Sequence, residues 1–509
     1  MAAALSFYRL DQAPMHLSGD EAQFAVQARA LAATGRDFNG RALPLFVNVI
    51  DPVAPERHGA VWFQPMLFYL VAASFKVLPV DEWAVRAPMP VIAALDIVLL
   101  FLVARRVFPH LWQAALAAAL LLMTPAHVVY SRLALDYLCT VPFALGWLLC
   151  VVTFVQTGGR RLQLLALAGA LLGAGFYSYI AAWVMMPLYL LVTWMLAYKT
   201  AERPAAAALV SSAGLAIALA AFAVWIWLHP GMLGDTLNRY GLAGGAPKAG
   251  GFDLHPLLDR VSLAWSYFNP AYLFLAGSSN TIESTRRVGV LLAPVAVLLA
   301  AGVAHLWRRR REPVQALLLA GLVCAPVAAL VVNERYCSDR ELMLLPFAAL
   351  VATAGASALL AQRGPARYVA VVCGLLIPLQ FGMFYRDYLG DYRQRVAGIF
   401  DPFDFRDIAD AVIAADAVSE APAVYLSPSL DYGAARWRFY LYKHQRDDLF
   451  ARTRYLDARD AATLAPGSIV IVPARDPVLS AELKSRFTVG HTIVDRGGSP
   501  IALIVRITA

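Results

Sequence analysis

Charged residues are scarce in this sequence: they make up 15% of its 509 residues, whereas hydrophobic residues make up 60%. A soluble domain has about a quarter charged residues and closer to half apolar ones, so the composition excludes an ordinary soluble protein and indicates a membrane protein. The net charge of +8 would suggest nucleic-acid binding in a soluble protein. In a membrane protein a basic excess is typical of cytoplasmic loops, and we therefore exclude nucleic acid as a partner.

Cysteines and targeting signals are also scarce. The five cysteines show no metal-ligand spacing, which excludes a zinc site or a disulfide framework recognisable from sequence. Residues 1–18 lack the basic region, apolar stretch and cleavage site of a signal peptide. They are also too short and too polar for a membrane span, since Arg9 and Asp11 interrupt them. We therefore expect that the chain lacks a first span before its first loop.

Apolar runs of spanning length predict about ten membrane helices. A further run at 61–80 contains Gln64 and Lys76, and it is interpreted as a helix lying along the membrane surface, although a crossing stays open. The ten predicted spans are at about 87–104, 112–130, 137–155, 162–176, 179–197, 207–228, 288–307, 314–332, 341–361 and 368–385.

Basic residues fall in every second short connection, which predicts that these connections are cytoplasmic. The connections at 131–136, 229–287 and 333–340 are then expected to face the periplasm or cell exterior, as is the carboxy-terminal tail. The basic pairs and clusters are Arg105 and Arg106, Arg160 and Arg161, Lys199 and Arg203, Arg308 to Arg311, and Arg363 and Arg367.

The composition becomes that of a soluble domain near residue 386, which predicts two domains. Residues 1–385 would form the membrane domain, and residues 386–509 a small extracytoplasmic α/β domain. Alternating segments AVYLS and SIVIVPA predict strands, and the final VGHTIVDRGGSPIALIVRI predicts a hairpin around Gly497 and Gly498. The predicted fold class is thus an α-helical polytopic membrane protein of about ten to twelve spans with this α/β addition.

Two adjacent carboxylates, Asp20 and Glu21, stand at the start of a predicted helix in the first loop. One interpretation is helix capping, because Asp near a first turn accepts from the exposed backbone N–H groups. The other interpretation is that these carboxylates take part in chemistry. The residues alone leave both open.

Four arginines and a third carboxylate are predicted at the outer ends of membrane spans. Charged groups there are costly unless they are paired or functional, which makes Arg132 and Asp136 functional candidates; anchoring of Arg132 to lipid head groups is the alternative. Arg86 opposes the positive-inside trend and therefore calls for an anionic partner such as a lipid phosphate. Arg335 and Arg340 suit bidentate phosphate contacts better than lysines would.

These motifs resemble, in their order, the lipid-phosphate-dependent membrane glycosyltransferases of the GT-C fold. The resemblance is to bacterial members of glycosyltransferase family 39, related to protein O-mannosyltransferases and to the aminoarabinose transferase that modifies lipid A. It covers most of the first 385 residues. The motifs that carry it are DEAQFAVQARALAATGRDFNG, WFQPMLFYLVAASFKVLPVDEWAVRAPMP, SRLALD, YFNPAYLFLAGSSN and RELMLLPFAAL.

The resemblance implies a catalytic carboxylate at Asp20 with Glu21 beside it, a second acidic position at Asp136, and a phosphate-contacting arginine at Arg86. The sequence departs from the family in two places. The span that normally precedes the acidic pair is absent, and Gln64 stands where some relatives have a lysine that contacts phosphate.

The resemblance also implies the reaction: an inner-membrane enzyme transfers a sugar from a polyprenyl-phosphate carrier to a hydroxyl of a lipid, glycan or protein acceptor, with inversion. The phosphate is already a good leaving group, so the enzyme mainly needs a general base and a cation. The carboxylates alone define no metal site, and a divalent metal stays open. The alternatives are a lipid or glycan transporter, which internal repeats would favour, and a catalytically silent scaffold.

Overall fold

A computed structural model of the chain describes residues 2–49, 51–53, 61–240, 255–457, 464–476 and 486–508. The chain divides into two compact units. The first unit contains residues 1–8, 62–67 and 88–392, and the second contains residues 9–61, 68–87 and 393–509. The second unit thus joins the first loop and the segment before residue 88 to the carboxy-terminal region.

The structure is mostly helical. Short 3-10 helices cover Asp136–Thr140 and Ser338–Glu341, and π-helical turns cover Ala271–Ala276 and Tyr388–Tyr392. The α-helices are α1 (Ala2–Phe7), α2 (Gly19–Thr34), α3 (Met66–Val77), α4 (Glu82–Arg86), α5 (Pro88–Val107), α6 (Leu111–Leu122), α7 (Pro125–Tyr130), α8 (Val141–Gln156), α9 (Leu162–Gly175), α10 (Ala182–Thr200), α11 (Pro204–Leu228), α12 (Gly231–Arg239), α13 (His255–Tyr267), α14 (Val295–Arg308), α15 (Pro313–Cys324), α16 (Val327–Val332), α17 (Leu344–Leu360), α18 (Pro365–Asp387), α19 (Arg393–Arg395), α20 (Ala397–Phe400), α21 (Phe405–Val418), α22 (Gly433–Lys443) and α23 (Asp447–Ala451).

Each of the ten predicted spans overlaps an apolar helix. Within the described ranges, six helical segments are long and apolar enough to cross a membrane, and four of the predicted spans coincide with shorter apolar helices. The number of crossings therefore stays a prediction. Helix α3, in the run at 61–80, has 12 residues, or about 18 Å at the standard rise, which is shorter than a hydrocarbon core of about 30 Å. The six long segments are Glu82–Val107, Asp136–Gln156, Ala182–Thr200, Pro204–Leu228, Pro313–Val332 and Pro365–Arg395.

Small residues bring helices of the first unit into close contact. A side-chain carbon at Gly302 of α14 would lie 1.9 Å from the carbonyl oxygen of Val351 in α17. One at Gly355 of α17 would lie 1.9 Å from the carbonyl oxygen of Leu298. Only glycine permits this approach, and such small-residue contacts are typical of helix packing in lipid, where burial of apolar surface does not drive association.

The second unit contains a five-stranded sheet with strand order β4-β3-β5-β7-β6. Strand β3 pairs in parallel with β4 and β5, whereas β7 pairs antiparallel with β5 and β6. Strands β3 and β5 and the β6–β7 hairpin confirm the strands and the hairpin predicted for this region. The strands of the chain are β1 (Val47–Val49), β2 (Val61–Phe63), β3 (Val424–Leu426), β4 (Thr453–Tyr455), β5 (Ile469–Pro473), β6 (Phe487–Val494) and β7 (Pro500–Ile507).

Candidate functional site

Helix α2 begins with a capping box that does not use Asp20. The N-cap is Ser18, whose hydroxyl accepts from the backbone N–H of Glu21 (3.3 Å), while Glu21 Oε2 accepts from the backbone N–H of Ser18 (2.9 Å). This reciprocal pair satisfies two N–H groups that the first helical turn would otherwise leave exposed. Asp20 lies within that first turn. The capping interpretation is therefore confirmed for Glu21, which completes the box with the N-cap Ser18, whereas the role of Asp20 stays a prediction.

Arg86 is fully buried and binds Glu21 through two parallel hydrogen bonds. Its Nε donates to Glu21 Oε1 (2.8 Å) and its Nη2 to Oε2 (3.0 Å). The other N–H groups donate to the carbonyl oxygens of Leu10 (3.2 Å), Pro14 (2.7 Å) and His16 (2.7 Å). All five N–H groups of the guanidinium thus have protein acceptors.

This geometry favours a structural role for Arg86 and Glu21, because a buried ion pair persists when its remaining donors and acceptors are also satisfied. The pair joins the first loop to α4. A contact between Arg86 and a lipid phosphate stays a prediction. Asp20 differs from Glu21: it is only half-buried, and its Oδ1 accepts from the hydroxyl of Tyr432 (3.1 Å).

A polar cavity of about 330 Å³ also lies in the second unit. Its nearly buried carboxylate, Glu82, accepts from Arg406 (2.8 Å) and Lys443 (2.8 Å). Burial lowers the pKa of Arg406, but the neighbouring Tyr440 and Glu82 outweigh it and raise that pKa overall. Glu82 thus pairs with two of the cations on these walls. The cavity is lined by Asp11, Gln12, Met15, Glu82, Arg393, Arg406 and Lys443.

In the first unit, Asp136 begins the 3-10 helix that precedes α8, and its side chain is buried. The next residue, Tyr137, places its ring 4.9 Å from that of Tyr179. The Tyr179 hydroxyl donates to Asp339 Oδ2 (2.6 Å). The Tyr179 hydroxyl interacts electrostatically with the carboxylates of Asp136 and Asp339 and with the guanidinium of Arg340. The structure therefore brings two of the predicted site residues, Asp136 and Arg340, to the same tyrosine.

Arg340 leaves part of its hydrogen-bonding capacity unused among the described residues. Its Nη1 donates to Glu334 and its guanidinium lies 5.3 Å from the ring centre of Tyr240. Its Nε lies 3.8 Å from Asp339 Oδ2, too far for a hydrogen bond, and it has no hydrogen-bond acceptor among the described residues. Burial raises the pKa of Tyr240 to about 12, with Arg340 acting in the opposite direction.

An apolar cavity of about 150 Å³ adjoins Arg340 in the first unit. Arg340 is its one charged lining residue within the described part of the chain. The cavity therefore combines a hydrocarbon wall with a single guanidinium, an arrangement that suits an amphiphile with an anionic head. The other lining residues are Ile180, Ala181, Trp183, Val184, Thr236, Leu237, Tyr240, Ala328, Val331 and Val332.

The other two predicted arginines have different surroundings. Arg132 is buried, donates to the carbonyl oxygens of Leu5 (3.2 Å) and Ser6 (2.8 Å), and lies 5.6 Å from the ring centre of Tyr388. These contacts hold the amino-terminal helix. Arg335 is exposed. Both remain predictions as phosphate contacts.

A buried carboxylate that the sequence analysis missed is Glu283. Its Oε2 accepts from the hydroxyls of Ser278 (3.0 Å) and Ser338 (3.3 Å), and Ser338 lies 2.8 Å from the Tyr130 hydroxyl. Burial, and then the nearby charge of Asp339, raise the pKa of Glu283 to about 7. A glutamate in a loop of small polar residues gives no sequence signal of burial, because its partner Ser338 lies 55 residues away in the chain.

The described residues include no group of three or more His, Cys, Asp or Glu side chains arranged to hold a metal ion. Whether the protein uses a divalent metal therefore stays open.

The comparisons with known proteins agree on one fold. The model of the family described as dolichyl-phosphate-mannose-protein mannosyltransferase matches residues 58–227. No curated protein sequence matches the chain. The structure of ArnT from Cupriavidus metallidurans bound to undecaprenyl phosphate superimposes with a TM-score of 0.56 at 14% identity, covering 99% of this chain and 96% of that chain.

Two further structures are similar. ArnT in the apo state gives a TM-score of 0.52 at 15% identity, with coverage of 99% and 96%. The Archaeoglobus fulgidus oligosaccharyltransferase tethered to an acceptor peptide containing the NVT sequon gives a TM-score of 0.50 at 12% identity. The match covers all of this chain and 73% of that chain. At these identities the similarity establishes the architecture, not the activity. The chain therefore has the GT-C fold of the membrane glycosyltransferases.

Proposed function

We propose that this protein is a multi-pass inner-membrane enzyme that transfers a sugar from a polyprenyl-phosphate donor to a hydroxyl acceptor, with inversion at the anomeric carbon. The observation that carries the proposal is the apolar cavity whose one charged wall residue in the described chain is Arg340. Its supports are the match to a mannosyltransferase family and the fold shared with an ArnT that binds undecaprenyl phosphate.

The Arg340 cavity suits the donor because a polyprenyl phosphate has an apolar chain and an anionic head. The unfilled Nε–H of Arg340 would donate to a phosphate oxygen, and a charge-assisted hydrogen bond of this kind is about twice as strong as a neutral one. The same cation would stabilise the negative charge that develops on the phosphate as the sugar leaves. Arg335, exposed nearby in sequence, is a second candidate for the phosphate.

Asp20 is the proposed general base. Its neighbour Glu21 completes the capping box and pairs with Arg86, whereas Asp20 is half-buried, which leaves it accessible to an acceptor hydroxyl. Removal of the hydroxyl proton while the phosphate departs gives in-line displacement and inversion. Asp136, buried beside Tyr179, is the second proposed acidic position. Glu21 is then assigned to the scaffold.

The proposed topology has the carboxy-terminal domain in the periplasm, on the argument of the alternating basic loops. A reporter fused after Tyr385 should then be active on the periplasmic side, and one fused within residues 308–311 on the cytoplasmic side. The reverse result in either fusion would contradict an outward-facing reaction.

Purified protein in proteoliposomes tests the activity directly. Undecaprenyl phosphate, the product of the proposed reaction, should bind and should compete with an undecaprenyl-phosphate-linked sugar. Arg340→Gln should weaken this binding, whereas Arg363→Gln, at an exposed loop residue, should not. Undiminished binding by Arg340→Gln protein would exclude the proposed phosphate site, and movement of the lipid across the bilayer without release of the sugar would identify a transporter.

A further inference from the structure

Tyr432 lies at the start of helix α22 in the carboxy-terminal region and packs directly on the first turn of α2. It is the N-cap residue of α22, with a left-handed backbone (φ 51°). A side-chain carbon built on Gly19 would lie 2.4 Å from Cγ and Cδ2 of the Tyr432 ring. Since real contacts never approach this closely, glycine at position 19 is required for the ring to occupy its place. Residue 19 directly precedes Asp20.

The ring is also held from within its own domain. The guanidinium of Arg436 lies 5.6 Å from the ring centre. Arg436 is itself buried, donates to the carbonyl oxygen of Phe400 (2.7 Å), and lies 3.7 Å from Asp401 Oδ1. A buried and anchored cation beside an aromatic ring restricts the ring's movement, because the attraction depends on their relative position.

The hydroxyl of the ring that is held in this way donates to Asp20 Oδ1 (3.1 Å), across 412 residues of sequence. An aspartate side chain has two rotatable bonds about which its carboxylate can turn. A hydrogen bond from a fixed donor limits that rotation, and a base that removes a proton needs its oxygen held within about 0.5 Å of the productive position. The contact lies wholly within the second compact unit.

We infer that Tyr432 is a positioning residue for the Asp20 carboxylate, so that the carboxy-terminal α/β domain takes part in the transfer reaction. The inference rests on the proposed role of Asp20 as the base. The family match ends at residue 227, so that match includes neither Tyr432 nor the contact it makes.

The test is Tyr432→Phe, which keeps the ring on Gly19 and removes only the hydroxyl. Loss of one hydrogen bond at the base should lower kcat roughly 3- to 10-fold, with the Kd for undecaprenyl phosphate and the Tm unchanged. Tyr442→Phe is the matched control, since it removes a hydroxyl from the same helix away from Asp20, and it should leave kcat unchanged. Gly19→Ala should lower kcat as well, because the ring must move.

A double-mutant cycle separates positioning from a merely structural effect. In an Asp20→Asn background, Tyr432→Phe should cause no further loss of kcat, since the group that it positions no longer acts as a base. A further 3- to 10-fold loss there, or wild-type kcat in the single variant, would overturn the inference. Wild-type turnover by Asp20→Asn alone would instead refute the proposed function, so the two failures are distinguishable.

Discussion

Two regions of the molecule contain arginines with opposite surroundings. Near the start of α2, every N–H of the Arg86 guanidinium donates a hydrogen bond to a protein acceptor. Before α17, Arg340 has an Nε–H without an acceptor among the described residues, beside an apolar cavity. A saturated arginine stabilises the fold, whereas an arginine with an unused donor at a cavity is available to a ligand. The difference separates scaffold from binding site among residues that look equivalent in sequence.

The largest expected effect is on folding. Arg86→Met leaves Glu21 buried without its cation, which should lower the free energy of unfolding by about 3–5 kcal/mol. Thermal unfolding in detergent measures this, with exposed Arg454→Met as the control. An Arg86→Met protein that keeps its Tm but no longer binds undecaprenyl phosphate would reverse the assignment and support the phosphate contact predicted from sequence.

Asp20→Asn should affect catalysis next most strongly. The change retains the shape and the acceptor for Tyr432 but removes basicity, so turnover at saturating donor should fall roughly 100-fold or more. Donor binding and Tm should stay near wild type, because Ser18 supplies the helix cap. Glu21→Gln is the informative comparison: it should lower Tm rather than act on turnover alone. Normal transfer by Asp20→Asn protein would leave Asp136 as the next candidate.

Arg340→Gln should weaken binding of undecaprenyl phosphate by roughly 10- to 150-fold, the equivalent of about 1.5–3 kcal/mol for a charge-assisted hydrogen bond. The effect should shrink for a lipid with the same prenyl chain and no phosphate. Equilibrium binding to protein in nanodiscs measures both. Equal losses for the two lipids would mean that Arg340 only maintains the cavity wall, and the contrast with Arg86 would then fail.

The smallest effect concerns pH. Burial and Asp339 raise the pKa of Glu283 from 4.5 in the unfolded chain to about 7, so between these values the folded state binds more protons than the unfolded state. The contribution of Glu283 to the free energy of unfolding is therefore fully present below about pH 4.5 and is lost as the pH rises through about 7. Between pH 5.5 and 8 the free energy of unfolding should fall on the order of 2 kcal/mol from this group.

Thermal unfolding of Glu283→Gln protein tests this, because an uncharged amide cannot titrate. The Tm of the variant should fall less than the wild-type Tm between pH 5.5 and 8. Parallel curves for the two proteins would show that Glu283 is not the group responsible.

Much of the architecture could be predicted from local pattern. Each predicted span overlaps an apolar helix, and the hairpin around Gly497 and Gly498 forms between β6 and β7. These features depend on hydrophobic runs and turn residues that are adjacent in the chain. The lengths of several membrane helices could not be predicted, because an apolar run does not show where a helix breaks. The run at 112–130, for example, divides into α6 and α7.

The sequence by itself determined that this is a helical membrane protein, and it indicated the charged residues that are candidates for function. Composition and periodicity can be read from neighbouring residues of the chain. The tertiary structure decided the roles of those charged residues. Asp20 and Glu21 are neighbours in sequence, yet Asp20 accepts a hydrogen bond from Tyr432, whereas Glu21 forms a buried ion pair with Arg86. The reason is physical: the partners that neutralise or position a charge lie 65 and 412 residues away, and only folding brings them within hydrogen-bonding distance.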